Sequence, residues 1–198
     1  MKNGMQMSYS NSLTVNNIFT VFAPGCGGNH IANLVSTDSR LISRFVIDDY
    51  KDTSNKAHYF DNKILEKDQI DLKKIVNEKR SYGSHFFEFG GFGFAKLIKK
   101  SFIVIKMPRE NSIGHTRMKK LYPAFEDSYF WYESKSLYTA ENFVKIFDIT
   151  EPCVEINGED LFDGKNFIDD LVTQTKRIGL DIDKELCTKA HELWLAKI

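Results

Sequence analysis

A chain of 198 residues with 27 basic and 27 acidic side chains has no net charge, and so no global field to draw in nucleic acid. Its 42% hydrophobic content suits a globular domain with a true core and excludes a disordered chain. Cys26, Cys153 and Cys187 are too few and too widely spaced for a zinc pattern or a disulfide framework, which points to a reducing, cytoplasmic setting.

Met1 to Asn17 is polar and lacks the charged start and apolar run of a signal peptide. It is expected to be a flexible N-terminus ahead of a single domain over 18–198. No stretch approaches the ~20 apolar residues of a membrane span, so no transmembrane helix is expected.

Ile18 to Ala23 is a short β-branched and aromatic run, a strand that stops at Pro24-Gly25. A helix is expected from about Asn29, burying Ile31, Leu34 and Val35. Residues 48–63 read as a polar surface connection, and Asp68 or Asp71 can cap a helix bearing Leu72, Ile75 and Val76. Tyr82 to Phe89 reads as a second strand, broken by Gly90-Gly91-Phe92-Gly93. Ser101 to Met107, Ser-Phe-Ile-Val-Ile-Lys-Met, is continuous rather than alternating, as in a strand covered on both faces of a parallel sheet. Pro108 ends it.

Residues 110–135 look helical with an interruption at Pro123. Thr139 can cap a helix with Phe143, Ile146 and Phe147 on one face. Pro152 to Ile156 is a short strand, and Asn157-Gly158 reads as a turn. A helix from about Lys165 to Ile178 buries Phe167, Leu171, Val172 and Ile178, with Gly179 placed to end it. A last helix from about Asp183 carries Leu186, Ala190, Leu193 and Trp194. Short strands alternating with helices predict a three-layer α/β/α domain with a mainly parallel sheet. Ligands of such sheets bind beyond the carboxyl ends of the strands, where the loop at 24–28 and the turn at 108–112 would lie.

The segment Pro24-Gly25-Cys26-Gly27-Gly28-Asn29-His30 lets the backbone turn tightly and offers several N–H groups in one concavity. A helix start adds unpaired N–H groups and a positive dipole end, a setting for phosphate or sulfate. The Walker pattern fails for want of its Lys and hydroxyl, and the dinucleotide pattern GxGxxG fails on spacing. A cysteine phosphatase would need Arg at position 32, which is Ala. The plain alternative is a tight strand-to-helix turn with no ligand.

Taken together, the loop, the strand and turn at 101–112 and the C-terminal third resemble the sulfotransferase family. Pro24 and Gly27 match the family's first loop. Gly25 stands where the family has Lys, and Gly28 and Asn29 where it has hydroxyls. Ile103-Val-Ile-Lys-Met-Pro108 resembles the strand ending in Arg-x-Pro, with Lys106 for Arg. Val154-Glu-Ile-Asn-Gly-Glu-Asp-Leu161 and Ile178-Gly-Leu180 resemble the family's Glu-Asp-Leu and Leu-Gly-Leu segments.

The resemblance implies a P-loop-like fold, the donor 3′-phosphoadenosine-5′-phosphosulfate, no metal, and a small-molecule or carbohydrate hydroxyl acceptor. Pro24, Gly25, Cys26, Gly27, Gly28, Asn29 and His30 would bind the 5′-phosphosulfate. Lys106, Arg109 and Ser112, with Thr116 as a substitute, would hold the 3′-phosphate. A histidine base suits the proton transfer because its ordinary pKa lies near neutral. His85 is the first candidate, Glu88 the second, and His30 could replace the missing Lys by donating to a bridging oxygen. Each has a plainer reading: a core-edge histidine, a surface charge, a capping-turn side chain. His115, Arg117, the Lys119-Lys120 pair, Gly90–Phe94 and the aromatic run Tyr129–Tyr132 read first as solvated face, connection or packing. Three rivals remain: a catalytically degenerate nucleotide- or anion-binding protein, a kinase-like phosphoryl-transfer enzyme, and a structural or interaction protein that keeps only the fold.

Overall fold

The computed structural model describes residues 15–23, 25–41, 81–85, 100–121, 139–163 and 166–197. Pro24, the helix expected after Asp68 or Asp71, Glu88, Gly90–Phe94, Pro123 and Tyr129–Tyr132 lie outside the described residues. Of His85 the backbone alone is described.

In chain order the elements are β1 (Asn17–Phe22), α1 (Gly28–Val35), β2 (Ser81–His85), β3 (Lys100–Lys106) and α2 (Ile113–Leu121). They continue with α3 (Ala140–Phe147), β4 (Cys153–Asn157), α4 (Gly158–Asp163), α5 (Phe167–Arg177) and α6 (Lys184–Leu195). The strands form one sheet in the order β2-β1-β3-β4, and every pairing is parallel. The apolar runs of β1 and β3 have the expected cause, since β1 is buried throughout and β3 as far as Ile105.

Helices cover both faces. Ile18 pairs with Ser81, so their side chains share a face. The Ser81 hydroxyl donates to the Ala32 carbonyl at 2.8 Å, which places α1 on that face. Phe19 pairs with Phe102 on the opposite face. There the Phe102 ring lies 5.9 Å from Phe19 and 5.1 Å, edge-on, from Phe143 of α3. These three fully buried rings form the centre of the core. Fully burying one such side chain contributes ~2–3 kcal/mol. The α/β class and its parallel sheet are therefore as expected.

Element ends follow local chemistry. Thr139 caps α3 by accepting from Asn142 N–H at 3.2 Å, and Asp183 caps α6 by accepting from Leu186 N–H at 3.0 Å. After α5, Gly179 N–H donates to Lys176 C=O and Leu180 N–H to Thr175 C=O. That paired closure needs a left-handed residue, and Gly179 has φ 82°.

Three details differ from the sequence reading. Asn157-Gly158 does not turn the chain, because β4 runs straight into α4. α6 buries Cys187, Ala190, His191 and Trp194 while Leu186 is exposed, a face rotated by one residue. In α3, Ile146 is exposed while Phe143 is buried. Both helices obey their period, but the position of the core decides which side it serves.

Candidate functional site

The chain leaves β1 for β2 on one side, then crosses back to β3 on the other. Opposed connections open a crevice beyond the carboxyl ends of β1 and β3, where open α/β sheets bind ligands. Phe22 pairs with His85, and Val21 pairs with Val104 two residues before Lys106. The sheet thus brings the glycine loop, the His85 backbone and the Lys106–Ser112 segment to one edge.

The loop turns through Gly25 at φ 81° and Gly27 at φ 70°, with Cys26 N–H donating to Ala23 C=O at 3.0 Å. A Cβ on Gly27 would sit 2.8 Å from Leu161 Cδ2 and 3.3 Å from the Trp194 ring. A Cβ on Gly28 would overlap the Phe22 ring. Close packing against β1, α4 and α6 therefore requires both glycines, whatever the loop binds. At the start of α1, Gly27 offers no side-chain cap and the first turn holds no acid. Its dipole end is unneutralised by the helix's own side chains.

His30 and Cys26 face inward. The His30 ring stacks on Trp194 at 4.4 Å and 6°, and its Nε2 lies 3.1 Å from His191 Nδ1. Burial, then repulsion from His191, hold the His30 pKa well below the ordinary value. Burial lowers His191 to about 4, so both rings are neutral at pH 7. Burial pushes the Cys26 thiol up to about 12, which leaves no thiolate for nucleophilic work. Asn29 lies in the first turn of α1.

Lys106 is about half exposed, with Nζ 3.9 Å from Glu155 Oε1. Arg109 is exposed, and its backbone N–H donates to Glu159 Oε2 at 3.2 Å. Ser112 Oγ accepts from His115 N–H at 3.1 Å and so caps α2. Thr116 Oγ1 donates to the Ser112 carbonyl at 3.0 Å. His115 is buried with Nδ1 accepting from Asn111 N–H at 3.1 Å. Arg117 donates to the Phe162 carbonyl and ties α2 to α4. Gly158 lies so close to β3 that a Cβ there would strike the Lys106 carbonyl. Glu159 is thereby held beside Arg109.

His191 and Trp194, both buried on α6, are the partners of His30 that the sequence reading does not name for it. Their spacing, with Cys187 and Ala190, marks a helical face that could have been read. Among the described residues no cluster of three or more His, Cys, Asp or Glu is arranged to hold a metal ion, and no helix is long and apolar enough to cross a membrane. No protein-family model matches this chain, and neither curated proteins nor solved structures give a match to it.

Proposed function

We propose that the crevice beyond β1 and β3 binds a phosphate- or sulfate-bearing nucleotide, and that the chain is a divergent sulfotransferase. The observation that supports the binding reading is the start of α1, with no cap from Gly27 and no acid in its first turn, entered through a glycine loop at the switch point of the sheet. The finer reading rests on the sequence resemblance. The donor 3′-phosphoadenosine-5′-phosphosulfate would supply the sulfuryl group. Sulfur would exchange its bond to the 5′-phosphate oxygen for one to an acceptor hydroxyl, whose proton would pass to the base.

The residues present fit the donor in part. First-turn N–H groups of α1 suit an anion without side-chain charge. Lys106 and Arg109 stand at the neighbouring strand end as exposed cations, and the Ser112 hydroxyl retains a proton to donate. His85, at the end of β2, is the candidate base.

One observation favours the rival of a binding protein without catalysis. The loop carries no cation, and His30, neutral and held by Trp194 and His191, does not replace one.

A thermal-shift series tests the binding reading, because only ligands that prefer the native state raise its stability. Stabilisation by 3′-phosphoadenosine-5′-phosphate but not by ATP–Mg²⁺ is expected. A response to neither sinks the proposal. Label transfer from the sulfate donor, lost in His85→Ala while nucleotide binding persists, separates the enzyme from the silent binder.

A further inference from the structure

β4 ends the sheet on its side among the described residues. The Pro152 carbonyl accepts from Phe102 N–H at 2.8 Å. Parallel alternation then turns the backbone groups of Val154 and Ile156 toward β3, and those of Cys153, Glu155 and Asn157 outward. Among the described residues no backbone hydrogen bond fills the outward groups of Cys153 and Glu155 or the Asn157 N–H, while the Asn157 carbonyl opens α4. A cavity of about 750 Å³ runs along it, walled by Ala140 of α3 and by Asp170, Gln174 and Arg177 of α5.

Natural edge strands are commonly blunted by Lys, Pro or a bulge. β4 carries no Lys and no internal Pro. Its five residues give a row of ~16 Å, room for a short extended segment. The charge of the groove says what kind. Glu155 is engaged, accepting from Ala140 N–H at 2.9 Å and facing Lys106. Asp160 and Asp170 accept only from the neutral amides of Asn157 and Gln174, and neither has an ion-pair partner among the described residues. Arg177 is the one cation among the described lining residues, and it donates to Gln174.

We propose that this edge docks an extended segment of another protein bearing lysine or arginine, which joins the sheet beside β4. Main-chain hydrogen bonds to Cys153, Glu155 and Asn157 supply the attachment, and Asp160 and Asp170 select a cationic strand. A second copy of this chain is disfavoured, because edge-to-edge pairing would bring the two acidic walls together.

The test uses the full chain and a labelled hexapeptide of alternating Lys and Val, with a Glu–Val peptide as control. Fluorescence anisotropy reads binding, and amide hydrogen exchange reads Cys153, Glu155 and Asn157. Saturable binding of the basic peptide alone is expected, with slowed exchange at those three amides. D160N/D170N should weaken it about tenfold. Cys153→Pro removes one outward N–H, leaves the ladder to β3 intact, and should abolish it. Failure to bind, equal binding of both peptides, or binding without protection of those amides overturns the proposal. So does protection already present in the free protein: dependence on protein concentration assigns the edge to a second copy, and independence to this chain itself.

Discussion

His30 and His191 meet nitrogen to nitrogen at 3.1 Å inside the protein, across 161 residues of sequence, and neither ring holds a charge. One proton lies between them, since one nitrogen must donate and the other accept. The pair closes the back of the glycine loop through Trp194, which stacks on His30 and packs over Gly27.

That pair makes the fold acid-sensitive in a defined window. A histidine whose folded pKa lies below its unfolded value of about 6.5 binds protons more readily in the unfolded chain, so stability falls with pH between the two values. With His191 at about 4, its contribution is intact above pH 6.5 and lost on approaching pH 4. Between pH 8 and pH 5 the loss should be ~2 kcal/mol. Urea midpoints across that range should show it, and His191→Gln should flatten the slope. An unchanged slope in the variant removes His191 as the cause.

Asp38 holds the tail of α1 to the turn before α6. Its buried carboxylate accepts from Arg40 Nε at 2.9 Å and from Asp181 N–H at 2.7 Å, while Arg40 Nη2 reaches the Gly179 carbonyl at 2.9 Å. Burial raises the Asp38 pKa, but the Arg40 side chain and the Asp181 and Arg40 N–H groups outweigh it and hold the group below its ordinary value. Asp38 therefore contributes stability above the unfolded pKa of about 3.9, and that is lost as pH falls through the folded value. Asp38→Asn should cost ~1–3 kcal/mol at pH 7. The difference between the two proteins should shrink below pH 4 in denaturant titrations.

Much of this architecture is legible in the sequence. The runs at Ile18–Ala23 and Ser101–Met107 announce buried strands, and Thr139, Gly179 and Asp183 announce helix ends, because each signal acts within a few residues. The fate of His30 is not legible, since its burial depends on which face α6 turns inward. The glycine signal is ambiguous for a related reason. Gly27 and Gly28 are required by Trp194, Leu161 and Phe22, and such packing imitates the sequence of an anion loop.

Thr20 sits in the middle of β1 with its hydroxyl buried and unpartnered among the described residues. Thr20→Val keeps the branched shape and removes the unsatisfied group, so it should raise stability by ~1 kcal/mol. A loss in the same denaturant titration would show that the hydroxyl has a partner.

Two glycines should separate crowding from backbone strain. Gly179 has open space around an added Cβ, so Gly179→Ala pays only for the left-handed backbone, ~1–2 kcal/mol. Gly28 is helical, yet Gly28→Ala would drive a methyl into the Phe22 ring and should cost ~3 kcal/mol or more. Thermal melts of the two variants should rank them in that order.

Trp194 against Gly27 has a consequence for how the protein is made. The head of α1 rests on α6, and its tail is tied to Asp181 and Asp183. During synthesis, β1 and the glycine loop emerge before α6 and lack their supports until α6 has left the ribosome. Contacts this distant in sequence form late in folding. A nascent chain paused before Trp194 would therefore present a protease-sensitive loop at Gly25–Gly28, and completing α6 would seal it.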